Sequence, residues 1–96
     1  MRDGFVYFIG DQIGSIKIGV AQDVSRRVKE LQTANPNKLR VIMCLHVPRI
    51  DHAYAIETEI HKMFSHYRKN GEWFEERPIM EWIGNNKIQV LGYEFN

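Results

Sequence analysis

The 96-residue sequence predicts an α+β fold with a small antiparallel sheet. Two β-type segments come first, two segments with helical apolar spacing follow, and a third β-type segment lies between those helices. The element order is therefore ββαβα. No internal repeat, low-complexity segment or linker interrupts the sequence, which favours a single domain over residues 1–96.

The first two β-type segments predict a hairpin. Residues 5–9 and 15–19 are rich in β-branched and aromatic side chains, and residues 10–14 contain the glycines of a turn. Because side chains alternate along a strand, one face of this hairpin is predicted to form the core through Val6, Phe8, Ile16 and Ile18.

Tyr7, Ile9 and Lys17 fall on the other face of the hairpin, which this pattern predicts to be the non-core face. A three-residue loop at 11–13 would place Tyr7 directly opposite Lys17. A phenol and an ammonium group are therefore expected to be neighbours.

Two helices and a third strand follow. Asp23 is the predicted N-cap of a helix that runs to about residue 33, and Pro36 prevents its continuation. Residues 39–47 predict the third strand. The longer helix, from His52 to about Tyr67, is expected to end before Asn70-Gly71 and to present an apolar stripe of Ile56, Ile60, Met63, Phe64 and Tyr67.

The C-terminal part gives weaker patterns. Residues 72–74 predict a short extended piece, and Pro78 to Ile83 predict a short helix that begins with proline. Lys87 to Phe95 fits either a terminal strand or an ordered tail, and the sequence does not separate the two.

Composition excludes several classes of protein. Hydrophobic residues at 44% and charged residues at 26% are ordinary for a globular domain, and no apolar run reaches the roughly 18–20 residues of a membrane span. The single cysteine, Cys44, excludes an intramolecular disulfide and a four-cysteine zinc site. It fits a reducing compartment, so we expect an intracellular, cytoplasmic protein.

The net charge of +1 conceals an uneven distribution. Residues 1–50 contain eight Lys and Arg against four Asp and Glu, whereas residues 51–96 contain five against eight. A basic half beside an acidic half permits a polyanion on one face and a cation on the other.

Four polar residues could cleave a phosphodiester if the fold brings them together. Arg27 would bind the phosphate and neutralise charge in the transition state, and Glu57 would hold Mg²⁺. Lys17 close to Tyr7 would lower the pKa of the phenol and make it a usable base. Taken singly, each has a structural explanation: packing for Tyr7, edge protection for Lys17, and solvated helix faces for Arg27 and Glu57.

The spacing of these residues changes that balance. Val6-Tyr7 is followed by Lys17-Ile18-Gly19, then by Arg27 ten residues after Lys17, and then by a helix that carries Glu57. This order resembles the GIY-YIG nuclease superfamily, with KIG in place of YIG. The lysine variant, Ile60-His61 and the segment Gly71-Glu72-Trp73-Phe74 are similar to the compact branch common in bacteriophages.

The resemblance implies a three-stranded antiparallel sheet flanked by helices, and metal-dependent hydrolysis of nucleic-acid phosphodiesters, usually in DNA. It implies that Tyr7 is the general base or positions the water, that Lys17 tunes Tyr7 and that Arg27 contacts the phosphate. Glu57 would ligate Mg²⁺, with Mn²⁺ as a substitute, and a phage-encoded member would act in the host cytoplasm.

Further residues complete the predicted site. His61 joins the catalytic set, and Glu72 and Asn70 have supporting roles, although a turn explains Asn70 equally well. Arg26 and Lys29 are the expected nucleic-acid-binding residues outside the catalytic set.

Other functions remain open. The main alternative is a non-catalytic module that binds nucleic acid or a protein through the basic half, and a third class is a structural phage or host-interaction protein. DNA is the expected partner, RNA is not excluded, and no membrane partner is expected. With 96 residues there is no room for a separate DNA-binding domain, so low sequence specificity, a homodimer or a targeting partner is expected.

Overall fold

The computed structural model describes residues 2–86 and the backbone of residues 93–94. Its elements, in chain order, are β1 Gly4–Gly10, β2 Ser15–Ala21, α1 Val24–Thr33, β3 Arg40–Val47, α2 Ile50–Met63, a 3₁₀ turn Ser65–Tyr67, β4 Arg68–Asn70, β5 Trp73–Glu75, α3 Glu76–Asn85 and β6 Tyr93–Glu94.

The strands form one antiparallel sheet with the order β4-β5-β2-β1-β3-β6. The prediction of a three-stranded sheet is therefore wrong, although the architecture is α+β. Five strands lie within residues 2–86, and the two-residue β6 extends the sheet beyond β3. β4 and β5 have three residues each, which is too short for an alternating pattern to reveal their pairing.

The register of the β1–β2 hairpin differs from the prediction. Tyr7 lies opposite Gly19, and Lys17 lies opposite Ile9, so the two polar side chains share a face but are not directly paired. The cause is the loop, which spans residues 12–14 rather than 11–13. The Asp11 amide donates to the Ser15 carbonyl at 3.0 Å, and Asp11 Oδ1 accepts from the Ser15 amide at 2.9 Å, so these two residues close the loop.

Helices cover both faces of the sheet. The predicted core on one face is confirmed, because Val6, Phe8, Ile16 and Ile18 pack with Ile60 and Phe64 at the C-terminal end of α2 and with Ile79 and Ile83 of α3. The description of the opposite face as non-core is wrong. There, Tyr7 and Ile9 are buried with Val28 of α1 and with Leu39 and Val41. The polar side chains of this face therefore emerge from a second apolar cluster.

The helix boundaries follow local signals in part. Asp23 caps α1, since its Oδ1 accepts a hydrogen bond from the Arg26 amide at 3.0 Å. α2 ends at Met63, four residues earlier than predicted, because the 3₁₀ turn and β4 redirect the chain. Met63 and Tyr67, which the predicted stripe includes, are exposed. α3 extends the predicted 78–83 helix at both ends.

Most of the ambiguous segment from Lys87 to Phe95 lies outside the described residues. Its residues 93–94 pair through the backbone with Arg40 and Val41. Among the described helices, none is long and apolar enough to cross a membrane.

Candidate active site

The site lies where β2 loses its neighbouring strand. β5 pairs with β2 only from Ser15 to Lys17. Beyond Lys17, the Ile18 amide donates to the Glu72 carbonyl at 3.1 Å, and the Ile18 carbonyl accepts from His61 Nε2 at 2.9 Å. The edge of β2 is thus closed by the β4–β5 turn and by α2, which brings side chains of both to one place.

Three potential metal ligands converge at this edge. Ligand atoms of Glu57, His61 and Glu72 lie within 4.8 Å of one another, and all three residues are partly buried. Glu57 and His61 are one turn apart on α2, so they share a face of the helix, while Glu72 comes from the β4–β5 turn. Two carboxylates and an imidazole are suitable donors for a divalent ion, so the residues present fit a metal.

The electrostatic environment of Glu57 also favours a bound metal ion. Burial raises the pKa of the Glu57 carboxyl, and the nearby Glu72 carboxylate raises it further, while His61 and Lys17 act in the opposite direction. Two partly buried carboxylates this close together form a site whose negative charge a divalent cation would stabilise.

Lys17 is bound to Glu72 rather than to Tyr7. Its Nζ lies 3.1 Å from Glu72 Oε1 and 5.8 Å from the centre of the Trp73 ring, and its side chain is 11% exposed. The predicted pairing of Lys17 with Tyr7 is therefore wrong, because the charge of Lys17 is directed towards a carboxylate. Lys17 instead fixes the position of one oxygen of Glu72. That Lys17 tunes the pKa of Tyr7 stays a prediction.

Tyr7 is seated on Gly19 and faces Arg27. The Tyr7 side chain is 1% exposed, and a Cβ atom built on Gly19 would lie only 2.5 Å from Tyr7 Cζ. Burial raises the pKa of the phenol, a hydrogen bond and the positive charge of Arg27 oppose that rise, and Glu72 and Glu57 add to it. The same hydrogen bond raises the pKa of Arg27. Arg27 is thus the cation beside the phenol.

Six of the predicted residues are brought together in this way: Tyr7, Lys17, Arg27, Glu57, His61 and Glu72. Arg26 points away, with a side chain that is 79% exposed and pairs with Glu30 at 3.4 Å. Lys29 is exposed on α1, and Asn70 is exposed at the end of β4, where a turn accounts for it.

Sequence reasoning missed the role of Gly19. It is the last residue of the Lys17-Ile18-Gly19 motif, and the absence of a side chain there makes room for the Tyr7 ring. A glycine within a strand, which costs stability unless something packs closely against it, was the available signal.

Comparisons with known proteins cover the whole site. A family model described as the T5orf172 domain matches residues 4–87. The chain is also 31% identical over 102 residues to "Uncharacterized protein 460R" of Invertebrate iridescent virus 6. That alignment covers 94% of this chain and 45% of the viral protein, so the chain spans about half the length of this relative. No solved structure matches.

Proposed function

The chain belongs to the T5orf172 domain family, and from that premise we propose that it is a metal-dependent endonuclease of the GIY-YIG type that hydrolyses phosphodiester bonds in DNA. The domain is phage-associated and nucleic-acid-related, which supports a polynucleotide substrate. The observation that carries the hydrolytic part is the convergence of Tyr7, Arg27 and Glu57 beside the part of β2 that β5 does not cover.

Arg27 binds the scissile phosphate in this proposal. Its guanidinium donates to the Tyr7 oxygen and is partly exposed, so its remaining N–H groups can reach a phosphate oxygen. The same contact orients the hydroxyl of Tyr7. Because Arg27 occupies the phenol oxygen as a donor, the Tyr7 hydrogen is free to position a water molecule against the phosphorus.

The raised pKa of Tyr7 bears on which of its two predicted roles it performs. A buried phenol whose pKa is raised is mostly protonated at neutral pH. Positioning of the water is therefore the role that we assign to Tyr7, rather than that of general base.

A metal ion on Glu57 would supply charge neutralisation at the leaving oxygen. We propose that Mg²⁺ or Mn²⁺ occupies this position, since the Glu57 carboxylate is an oxygen donor that both ions accept. The proposed intracellular location, and a homodimer or targeting partner that directs the enzyme, remain expectations from the sequence.

Arg26 and Lys29 extend the positive surface next to Arg27. Both are exposed on α1 and suited to attracting the phosphate backbone, a contact that carries no sequence information. We therefore propose low intrinsic sequence specificity.

Supercoiled plasmid incubated with the protein and either Mg²⁺, Mn²⁺ or EDTA tests the proposal. Nicked or linear DNA is expected with the metals and not with EDTA. Tyr7→Phe should lower the rate at least about 100-fold, while Tyr54→Phe, at an exposed position on α2, should leave it unchanged. DNA binding without cleavage under any of these conditions would favour the non-catalytic module instead.

A further inference from the structure

We propose that Glu57, His61 and Glu72 together form a three-ligand centre that binds a first-row transition ion such as Mn²⁺ in preference to Mg²⁺. This inference deepens the proposed function and depends on it for the presence of a metal. It goes further by assigning a nitrogen ligand and a metal preference.

The orientation of His61 is the first support. A carbonyl oxygen can only accept, so the 2.9 Å contact with the Ile18 carbonyl requires a hydrogen on His61 Nε2. In the neutral ring Nδ1 then carries a free lone pair. Histidines that bind metals commonly donate their other ring N–H to a backbone carbonyl or a carboxylate, which fixes both tautomer and ring. Here the acceptor belongs to a sheet strand.

Glu72 is held in a comparable way. Its Oε1 forms an ion pair with Lys17 Nζ at 3.1 Å, which leaves its second oxygen for another partner. Lys17 is itself nearly buried and lies against the Trp73 ring, so it is a firm anchor for this carboxylate. Two of the three ligands are therefore held from outside the cluster, His61 by a hydrogen bond and Glu72 by an ion pair.

The dimensions of the cluster are close to those of a metal centre. The ligand atoms lie within 4.8 Å of one another, whereas two ligands on opposite sides of one ion, each about 2.1 Å away, are about 4.2 Å apart. A side-chain adjustment of less than about 1 Å closes that difference. Glu57 and His61 reach the ion from successive turns of α2, and Glu72 reaches it from the sheet edge.

The donor set carries the metal preference. Mg²⁺ favours oxygen donors and retains several waters, so an imidazole is a poor ligand for it. Transition ions accept imidazole readily, and Mn²⁺ also accepts carboxylates. A site of two carboxylates and one imidazole therefore favours Mn²⁺ over Mg²⁺.

Mn²⁺ binding measured by electron paramagnetic resonance, without DNA, tests the ligand set. The wild type should bind one Mn²⁺ tightly, and Mg²⁺ should compete poorly. His61→Gln keeps an amide N–H for the Ile18 carbonyl but lacks the ring nitrogen, so Mn²⁺ affinity should fall at least about tenfold, and the Mn²⁺ preference should shrink. Glu72→Gln should also weaken binding, whereas the exposed controls His66→Gln and Glu75→Gln should not.

A second measurement needs no variant. Electron spin echo modulation of the wild-type protein with Mn²⁺ should show a directly coordinated nitrogen. Absence of that nitrogen, or unchanged Mn²⁺ affinity in His61→Gln, would overturn the ligand set, and plasmid cleavage by the same protein would leave the proposed function intact. Nitrogen-coordinated Mn²⁺ without plasmid cleavage would instead refute the proposed nuclease function and support the metal centre.

Discussion

Substitution of Gly19 tests how the site is built, because the absence of a side chain at this position makes room for the Tyr7 ring. Replacing it with alanine adds one methyl group at the point where the Tyr7 ring crosses β2. That methyl carbon would lie 2.5 Å from Tyr7 Cζ, whereas carbon atoms in favourable contact are about 3.5–4.0 Å apart. The Tyr7 ring must therefore move away from β2 by about 1 Å.

This movement of the ring destabilises the fold because Tyr7 is 1% exposed and is packed within the second apolar cluster, beneath α1. Overpacking of this kind destabilises a protein by about 1–3 kcal/mol. For a chain of this size, about 2 kcal/mol lowers Tm by roughly 8–16 °C. A displacement of about 1 Å at the Tyr7 hydroxyl should also reduce cleavage roughly 100-fold.

Thermal unfolding and plasmid nicking, measured on the same preparation, check both effects. Gly84→Ala is the matched control, since nothing lies within 4 Å of a Cβ atom at this exposed position on α3; it should be neutral or slightly stabilising. In a Tyr7→Ala background, Gly19→Ala should lose most of its cost. Equal destabilisation by Gly19→Ala in the presence and absence of the Tyr7 ring would refute this reasoning.

Three further predictions concern separate parts of the molecule. Arg27→Ala should slow cleavage at least about 100-fold and Arg26→Ala much less, as measured by plasmid nicking, because only Arg27 contacts Tyr7; equal losses would indicate a diffuse basic patch. Glu57→Gln should raise Tm at pH 7 without metal, since the raised pKa of Glu57 means that its charged form is less stable in the fold than in the unfolded chain. This rise in Tm should vanish below about pH 4, where the Glu57 carboxyl is protonated in the unfolded chain as well. A Tm of Glu57→Gln below that of the wild type at pH 7 would contradict this prediction. Burial raises the pKa of the Cys44 thiol, so iodoacetamide at pH 8 should alkylate it more slowly in the folded protein than in urea; equal rates would be contrary to this.

The strand alternation of the sequence predicted which residues share a face, but not how the faces are used. Tyr7 and Lys17 lie on the same face, as expected. Their direct pairing required the loop at residues 11–13, and a shift of the loop by one residue places Gly19 opposite Tyr7 instead. Periodicity also cannot show that α1 covers that face, because α1 presents only Val28 as a fully buried side chain. A second cluster built from both strands and the helix was therefore not visible in any single segment.

The site could be predicted as a set of residues more readily than as a set of contacts. Glu57 and His61 share a helix face, and that follows from their spacing of four. Glu72 reaches them only because β5 pairs with β2 through Ile16 and Phe74, a long-range contact that local patterns do not encode. The sequence assigned the neighbour of Tyr7 to Lys17 instead of Arg27 because the hairpin register differs and because no local pattern shows that α1 packs on this face.

The central claim is that a metal ion held at Glu57 is required for phosphodiester cleavage. The most direct measurement compares the Mn²⁺-dependent nicking of supercoiled plasmid by wild type, Glu57→Gln and Glu59→Gln, with each fold checked by circular dichroism. Glu59 is two residues away on the same helix and is exposed, so it controls for the loss of one carboxylate on α2. The account predicts that wild type and Glu59→Gln nick the plasmid equally and that Glu57→Gln is inactive. Full activity of Glu57→Gln, or equal nicking by the wild type in EDTA, would contradict it.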